Sequence, residues 1–501
     1  METDSGQQVS WRGNIGLVLG PVLFLGLLIF PLPGLKPEAA RLAAVMALTM
    51  IFWICEPVPL PVTALLGPCL CVVLGIADAK TLLASFGDPV VFVFLGSFLL
   101  AQAMMTHHLD RRLALTLLGF EWVGRSTRRI LFVFGAVAAF ISMWLSNTAT
   151  TAMLLPIALG ILAEMGDLAR KQTGREVDLR RLRLSSGLLL MTAYAASVGG
   201  IGTPIGTPPN LIGIGMIHKL TGVKITFFQW MTFAVPTLVV MYVALYALIL
   251  FFNPPEFTHL PGLAQYLRER KAALGAWTRG QVNSLAAFLA AVVLWVLPGV
   301  LSLVFGDASP AVKTCSALLP EGVVALLAAS LLFFLPVDWK ARRFTLTWEE
   351  AERIDWGTIL LFGGGIALGS LMFTTGLAEA IGHFLLRTTH VSGLWGITIV
   401  SIAAGILISE TTSNTASANM VIPLAVSMAT TAGVNPVLPA LGACLGASYG
   451  FMLPVSTPPN AIVYGSGMIP ITKMMRTGIV FDVIGLGLIL AGVMIAKWVM
   501  G

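Results

Sequence analysis

Apolar residues run along this chain in blocks of about twenty, the length a helix needs to cross the roughly 30 Å hydrocarbon core of a bilayer. Unbroken blocks occupy 14–33, 39–56, 58–77, 88–106, 232–252, 281–304, 320–337, 357–375 and 477–500. Two more, 185–218 and 436–467, are interrupted at their midpoints by Gly and Pro. Together they predict about eleven transmembrane helices. Two further stretches, 129–165 and 392–430, are longer than one crossing and shorter than two, and each holds a small polar cluster at its centre. That pattern predicts re-entrant hairpins, which dip to mid-membrane and return on the same side. Segments 107–126 and 376–390 are amphipathic and flank the hairpins, so they are expected to lie along opposite membrane surfaces. The expected fold class is an all-α polytopic membrane protein.

Composition agrees with lipid as the solvent. Hydrophobic residues make up 57% of the 501 and charged residues 11%, against about 25% charged in a soluble domain. Mean hydropathy is +0.89. Soluble enzymes, secreted disulfide scaffolds and nucleic-acid binders are thereby excluded, and the net charge of +6 bears on topology instead. With a cytoplasmic N-terminus, the inner segments collect 22 of the 30 basic residues, including Arg12, Arg111, Arg112, Arg125, Arg128, Arg129, Lys171, Arg175 and Arg353. This bias predicts N inside and C outside. The N-terminal METDSGQQVSWRGN is short and polar, and the apolar run after it is too long for a cleaved signal peptide's core, so it reads as the start of a first span. Absence of any Asn-x-Ser/Thr acceptor suits a bacterial inner membrane. Cys55, Cys69, Cys71 and Cys444 sit in apolar runs and Cys315 in a short polar loop, a distribution of small core thiols rather than a metal site. The six histidines, His259 among them, lie near segment ends, away from where a mid-span proton relay would need them.

One pair of motifs is written twice. Ser146-Asn147-Thr148-Ala149 through Met153 and Pro156 matches Ser413-Asn414-Thr415-Ala416 through Met420 and Pro423, with a Ser four residues upstream each time, Ser142 and Ser409. Thr207-Pro208-Pro209-Asn210 recurs as Thr457-Pro458-Pro459-Asn460. The offsets are 267 and 250 residues, and the difference is about the length of the basic linker 166–183 that only the first half carries. Such internal repetition is sought early because it defines the architecture. Hairpin 129–165 is expected to enter from the cytoplasmic side and hairpin 392–430 from outside, the inverted-repeat pattern of a secondary transporter.

The residue types at the four interruptions have a chemical logic. Backbone left unpaired in lipid survives only around a buried polar cavity. Ser, Asn and Thr cap helix starts, and Pro tolerates the first helical turn. Each start exposes free N–H groups carrying partial positive charge, suited to an anion, while freed carbonyls suit a small cation. Small polar residues also glue helices together, but a duplicated pair of coupled motifs goes beyond what that role requires. Glu410 is the one acid beside either cluster; holding its hairpin by local hydrogen bonds is favoured, with contact to an ion as the alternative, and Glu56 is assigned to anchoring a helix end.

These motifs, with Ser448-x-x-Phe451-x-x-Pro454-Val455-Ser456-x-x-x-Asn460-x-Ile462-Val463, resemble the divalent-anion/sodium symporters, a family of Na+-coupled dicarboxylate, citrate and sulfate carriers. The resemblance runs from Glu56-Pro-Val-Pro-Leu-Pro to the last span. It implies a homodimer in which each protomer has a static scaffold (14–106 and 281–375) and a moving transport domain (127–252 and 391–501). The segments 107–126 and 376–390 would be arms, and 253–280 a cytoplasmic linker. It also implies two Na+ sites, one from Ser142, Ser146, Asn147 and Gly206, the other from Ser409, Thr412, Asn414 and Ser456. Substrate would lie between Asn147, Thr148, Thr207, Pro208 and Asn414, Thr415, Thr457, Pro458.

The leading expectation is Na+-driven symport of dicarboxylates such as succinate, malate and fumarate by an elevator mechanism. Na+-coupled citrate or sulfate carriage is an alternative. Sodium-independent exchange, the other rival, would be expected to replace an ion with a fixed basic side chain, and 130–165 and 391–430 contain no Lys, Arg or His. An enzyme would need paired acid and base or a metal constellation at depth, and the sequence offers none. The cavity itself is expected to contain no Lys or Arg.

Overall fold

The computed structural model describes residues 11–120, 122–124, 126–173, 178–256, 262–306 and 308–500. Arg125, Arg175 and His259 lie outside the described residues, as does the side chain of Lys171. The first half runs α1 (Trp11–Ile29), α2 (Pro37–Cys55), α3 (Leu60–Val73), α4 (Ala79–Leu83), α5 (Pro89–Thr106), α6 (Leu109–Leu118), α7 (Thr127–Ser142), α8 (Asn147–Thr173), α9 (Arg183–Gly200), α10 (Pro208–Thr221) and α11 (Phe227–Phe252). After α12 (Leu263–Ala272) come α13 (Arg279–Phe305), α14 (Pro310–Leu318) and α15 (Glu321–Leu331). A small hairpin of β1 (Pro336–Asp338) and β2 (Arg343–Phe344) leads to α16 (Trp348–Ala351) and α17 (Trp356–Thr374). The chain ends with α18 (Leu377–Thr389), α19 (Leu394–Ser409), α20 (Asn414–Thr431), α21 (Val437–Ala447), α22 (Pro458–Gly465) and α23 (Ile471–Met500).

Among the described residues, eight helices are long and apolar enough to cross a membrane, or up to ten if each of two bent pairs counts as one span. The protein is all-α and polytopic, and the details of the span count differ from expectation. Block 58–77 yields only the 14-residue α3. Block 320–337 is not one span. Its helix stops at Leu331 and the chain turns into the β-hairpin, where the Thr345 N–H donates to the Leu335 carbonyl at 2.9 Å. Crossing length is instead assembled from α14 and α15, bent by 54°. Hydropathy reads apolar surface and not backbone path, so the strand was invisible to it. Cys315, expected in a loop, lies within α14, and all five cysteines are free.

Helix starts follow local chemistry. Thr226 with Gln229 and Thr278 with Gln281 form capping boxes at α11 and α13, and the Asp88 side chain caps α5. Glu56 is the left-handed C-cap residue of α2. The amphipathic arm α6 is tied down by Arg112, which donates to the carbonyls of Leu274, Gly275 and Ala276 at 2.7–3.1 Å and lies over the Trp277 ring.

The duplicated motifs occupy duplicated structure. Helices α7 and α8 form one hairpin, with α7 laid on α9; α19 and α20 form the other, with α19 laid on α21. Small residues let these backbones approach: a Cβ on Gly446 would come 2.6 Å from the Ile402 carbonyl oxygen, and one on Gly405 2.8 Å from that of Ala443. The halves then exchange partners. Helix α22 packs on α8 and α9 of the first repeat, while α10 packs on α20 and α21 of the second. Tyr194 on α9 donates to the Phe451 carbonyl at 2.6 Å, and the Cys444 thiol on α21 reaches the Pro209 carbonyl at 3.1 Å. Interlocked in this way, the motif-bearing helices share one buried core.

Candidate functional site

Four helices begin at the four interruptions, as the motifs predicted. Asn147 opens α8, Pro208 opens α10, Asn414 opens α20 and Pro458 opens α22. The caps are local: Ser146 Oγ accepts from the Ala149 N–H at 3.2 Å, Ser413 Oγ from the Ala416 N–H at 3.2 Å, and Thr457 Oγ1 from the Asn460 N–H at 3.4 Å. Thr207 precedes α10 in extended conformation, and its side chain makes no capping bond. Each start therefore leaves N–H groups unused by its own helix.

The two tips share one wiring. Ser142 donates to Asn147 Oδ1 at 2.7 Å, and Ser409 donates to Asn414 Oδ1 at 2.7 Å. Across each break an asparagine stitches the loop. Asn210 Nδ2 donates to the carbonyls of Gly200 and Thr203 at 2.9 and 2.7 Å; Asn460 Nδ2 donates to those of Gly450 and Leu453 at 3.3 and 3.0 Å. In both repeats the acceptors stand ten and seven residues upstream. The motif placed these two asparagines at helix starts, but their reach back into the loop could not be read from it.

At the first tip, carbonyl oxygens gather around Gly206. A Cβ there would stand 2.5 Å from the oxygen of Gly200, 2.9 Å from that of Met143 and 3.0 Å from that of Ser142. Only a glycine fits, and the result is a neutral nest of hard oxygen donors beside Asn147. At the second tip, Ser456 stands where Gly206 does in the first. Its hydroxyl lies 3.3 Å from the Glu410 carbonyl oxygen and also bonds the Glu410 carboxylate. Buried Glu410 accepts the Met452 N–H at 2.8 Å as well, so it ties the second loop to the second hairpin. The structure thus brings Ser142, Asn147 and Gly206 together; at the second tip it joins Ser409 to Asn414, and Ser456 to Glu410, the residue after Ser409. Ser146 caps α8 at the first tip. Thr412 is different: its hydroxyl donates to the Trp53 carbonyl of α2 at 2.7 Å, leaving only its backbone for the tip.

One cavity of about 420 Å³ receives all four helix starts. Asn147, Thr148, Thr207, Pro208, Asn414, Thr415, Thr457 and Pro458 all line it, with Ser146, Gly206 and Ser413. The facing wall comes from elsewhere: Phe98, Ala101, Gln102 and Met105 of α5, and Arg353, Ile354, Asp355 and Thr358 at the start of α17. Arg353 corrects the expectation of a cavity without Lys or Arg. No motif marks it, and it lies in the polar segment before α17, far in sequence from either hairpin. Among the described residues no group of three or more His, Cys, Asp and Glu could hold a metal ion. The site's means are helix-start N–H groups, hydroxyls, amides and carbonyls, with one guanidinium, Arg353, and one carboxylate, Asp355.

These features define a class: a multi-pass helical membrane protein in which two repeats aim interrupted helices at a shared cavity. The chain belongs to the sodium:sulfate symporter family of membrane transporters, whose transmembrane-region model matches residues 12–501. It is 34% identical over 470 residues to the sodium-dependent dicarboxylate transporter SdcS of Staphylococcus saprophyticus, covering 93% of this chain and 87% of the relative. It is 34% identical over 469 residues to SdcS of Staphylococcus aureus, again covering 93% and 87%. Among solved structures, the YdaH transporter of Alcanivorax borkumensis aligns at 14% identity with a TM-score of 0.48, covering 97% of this chain and 96% of that one.

Proposed function

We propose that this protein is a Na+-coupled symporter of dicarboxylates of the succinate, malate and fumarate type, working by elevator-type alternating access. The observation that carries the reading is the single cavity into which four helix N-termini open, two from each repeat. Paired Asn-Thr starts offer one partial positive end to each carboxylate of a dianion. The oxygen nest at Gly206 and the matching Ser409–Asn414–Ser456 group suit a small hard cation. The similarity to the staphylococcal sodium-dependent dicarboxylate transporters supports both sodium and dicarboxylate.

In this reading the first Na+ is held by Ser142, Ser146, Asn147 and Gly206, and the second by Ser409, Asn414, Ser456 and the backbone of Thr412. Substrate lies between Asn147, Thr148, Thr207, Pro208 and Asn414, Thr415, Thr457, Pro458. The exchange of packing partners between repeats supports a transport body of 127–252 and 391–501 moving as one. The scaffold is 14–106 with 281–375, joined by arms 107–126 and 376–390 and by linker 253–280. The carrier sits as a homodimer in the bacterial inner membrane with its N-terminus cytoplasmic. Uptake of labelled succinate by proteoliposomes under an inward Na+ gradient tests this. Accumulation that needs the gradient supports symport; equal flux without Na+ but with internal dicarboxylate would establish exchange instead.

A further inference from the structure

The cavity wall bears two formal charges, Arg353 and Asp355, and they are differently placed. Both oxygens of Asp355 are spent at the start of α17: Oδ1 accepts the Thr358 N–H at 3.1 Å and Oδ2 the Thr358 hydroxyl at 2.6 Å. Arg353 has no such engagement. The nearest candidate acid one turn back, Glu350, is held by Arg343 at 2.6 Å. Among the described residues, no hydrogen bond or ion pair occupies the Arg353 guanidinium. A planar fork of donors left free on the wall of a cavity whose one acid, Asp355, is already hydrogen-bonded to Thr358 is matched by a carboxylate.

The position matters as much as the charge. The repeat motifs that would cradle substrate sit on the hairpins and broken helices. Arg353 and Gln102 sit on the opposite wall, on elements without a repeat motif. Helix starts supply only about half a charge each, and that partial charge fades within a turn, so a formal cation on the wall offers a dianion a pairing that the starts do not. We infer that Arg353 is a specificity-determining residue that meets the substrate from the facing wall and favours its doubly charged form. The inference rests on the dicarboxylate reading above. Because its wall belongs to the proposed scaffold, Arg353 stays behind when the site moves, and the contact is confined to the conformation seen here.

The test compares wild type, Arg353→Gln and Arg353→Lys as purified full-length protein, reading succinate binding at saturating Na+. Na+-induced thermal stabilisation without succinate serves as the second readout. Arg353→Gln should weaken succinate about fivefold, the size expected of a partly solvated charge pair, and Arg353→Lys should restore most of it. The Na+ midpoint should not move. As pH falls and succinate takes up its first proton, the gap between wild type and Arg353→Gln should close. Unchanged succinate affinity in Arg353→Gln, or a parallel loss of succinate and Na+ binding, would overturn the assignment. Wild-type protein that binds no succinate in Na+ would instead sink the dicarboxylate reading, and this inference with it.

Discussion

Replacing Gly206 by alanine puts the proposed first ion site under direct stress. The added Cβ would meet three backbone oxygens at 2.5, 2.9 and 3.0 Å, all short of ordinary contact. Backbone at a helix end cannot swing aside as a flexible side chain would. The nest must open by several tenths of an ångström, and overpacking of this kind costs about 1–3 kcal/mol. If the strain falls on the ion-loaded form, half-saturation for Na+ rises by about five- to 150-fold at that cost. The assay is Na+ dependence of succinate uptake, with Gly87→Ala as the control because a Cβ there meets nothing within 4 Å. Thermal unfolding in detergent reports whether Gly206→Ala still folds. A folded Gly206→Ala with wild-type Na+ dependence would refute the idea that these carbonyls hold the ion.

Asn147→Ala and Asn414→Ala should each abolish uptake while leaving a folded protein on size exclusion, since each removes the amide oxygen that Ser142 or Ser409 bonds at 2.7 Å; Na+-dependent transport by either variant counts against the site. Asn210→Ala and Asn460→Ala each delete two loop-stitching bonds and should lower stability by about 2 kcal/mol, at about 1 kcal/mol per bond, read as a reduced unfolding midpoint. Thr148→Cys in a background without the native cysteines should be labelled from both membrane faces as ionic conditions change. Labelling from one face alone under every condition would argue against alternating access.

Most of the site's scaffold was legible because it is encoded locally. Ser-Asn-Thr and Thr-Pro-Pro-Asn specify helix starts through capping and through proline's missing donor, and they do so wherever they fall. Four starts and two hairpins follow from the repeat alone. Contacts made at long range were not legible. Arg353 reaches the cavity only because α17 packs beside α10 and α20, and nothing in its neighbourhood announces that. Thr412 looks equivalent to its motif neighbours, yet a chance of packing turns its hydroxyl to Trp53. Asn210 and Asn460 read as helix-start residues, while their amides bond carbonyls upstream in the breaks. The β-hairpin after α15 was hidden because apolar residues there look the same in a strand, a helix or a turn.

The central claim is that sodium builds the substrate site. Four partial charges that fade within a turn, and a guanidinium offset by the Asp355 carboxylate on the same wall, are a poor match for a dianion in a low-dielectric interior, where an unpaired charge costs several kcal/mol. In the proposed account, ions bound at the two hairpin tips supply further positive charge and order the loops around Asn147 and Asn414. By linkage, substrate then tightens sodium as much as sodium tightens substrate. Isothermal titration of succinate into the protein, in NaCl and in choline chloride of equal ionic strength, measures this directly. The account predicts binding in NaCl that steepens with Na+ at a Hill coefficient above one, and little binding in choline. Equal affinity in the two salts would contradict it and make the carrier a sodium-independent exchanger.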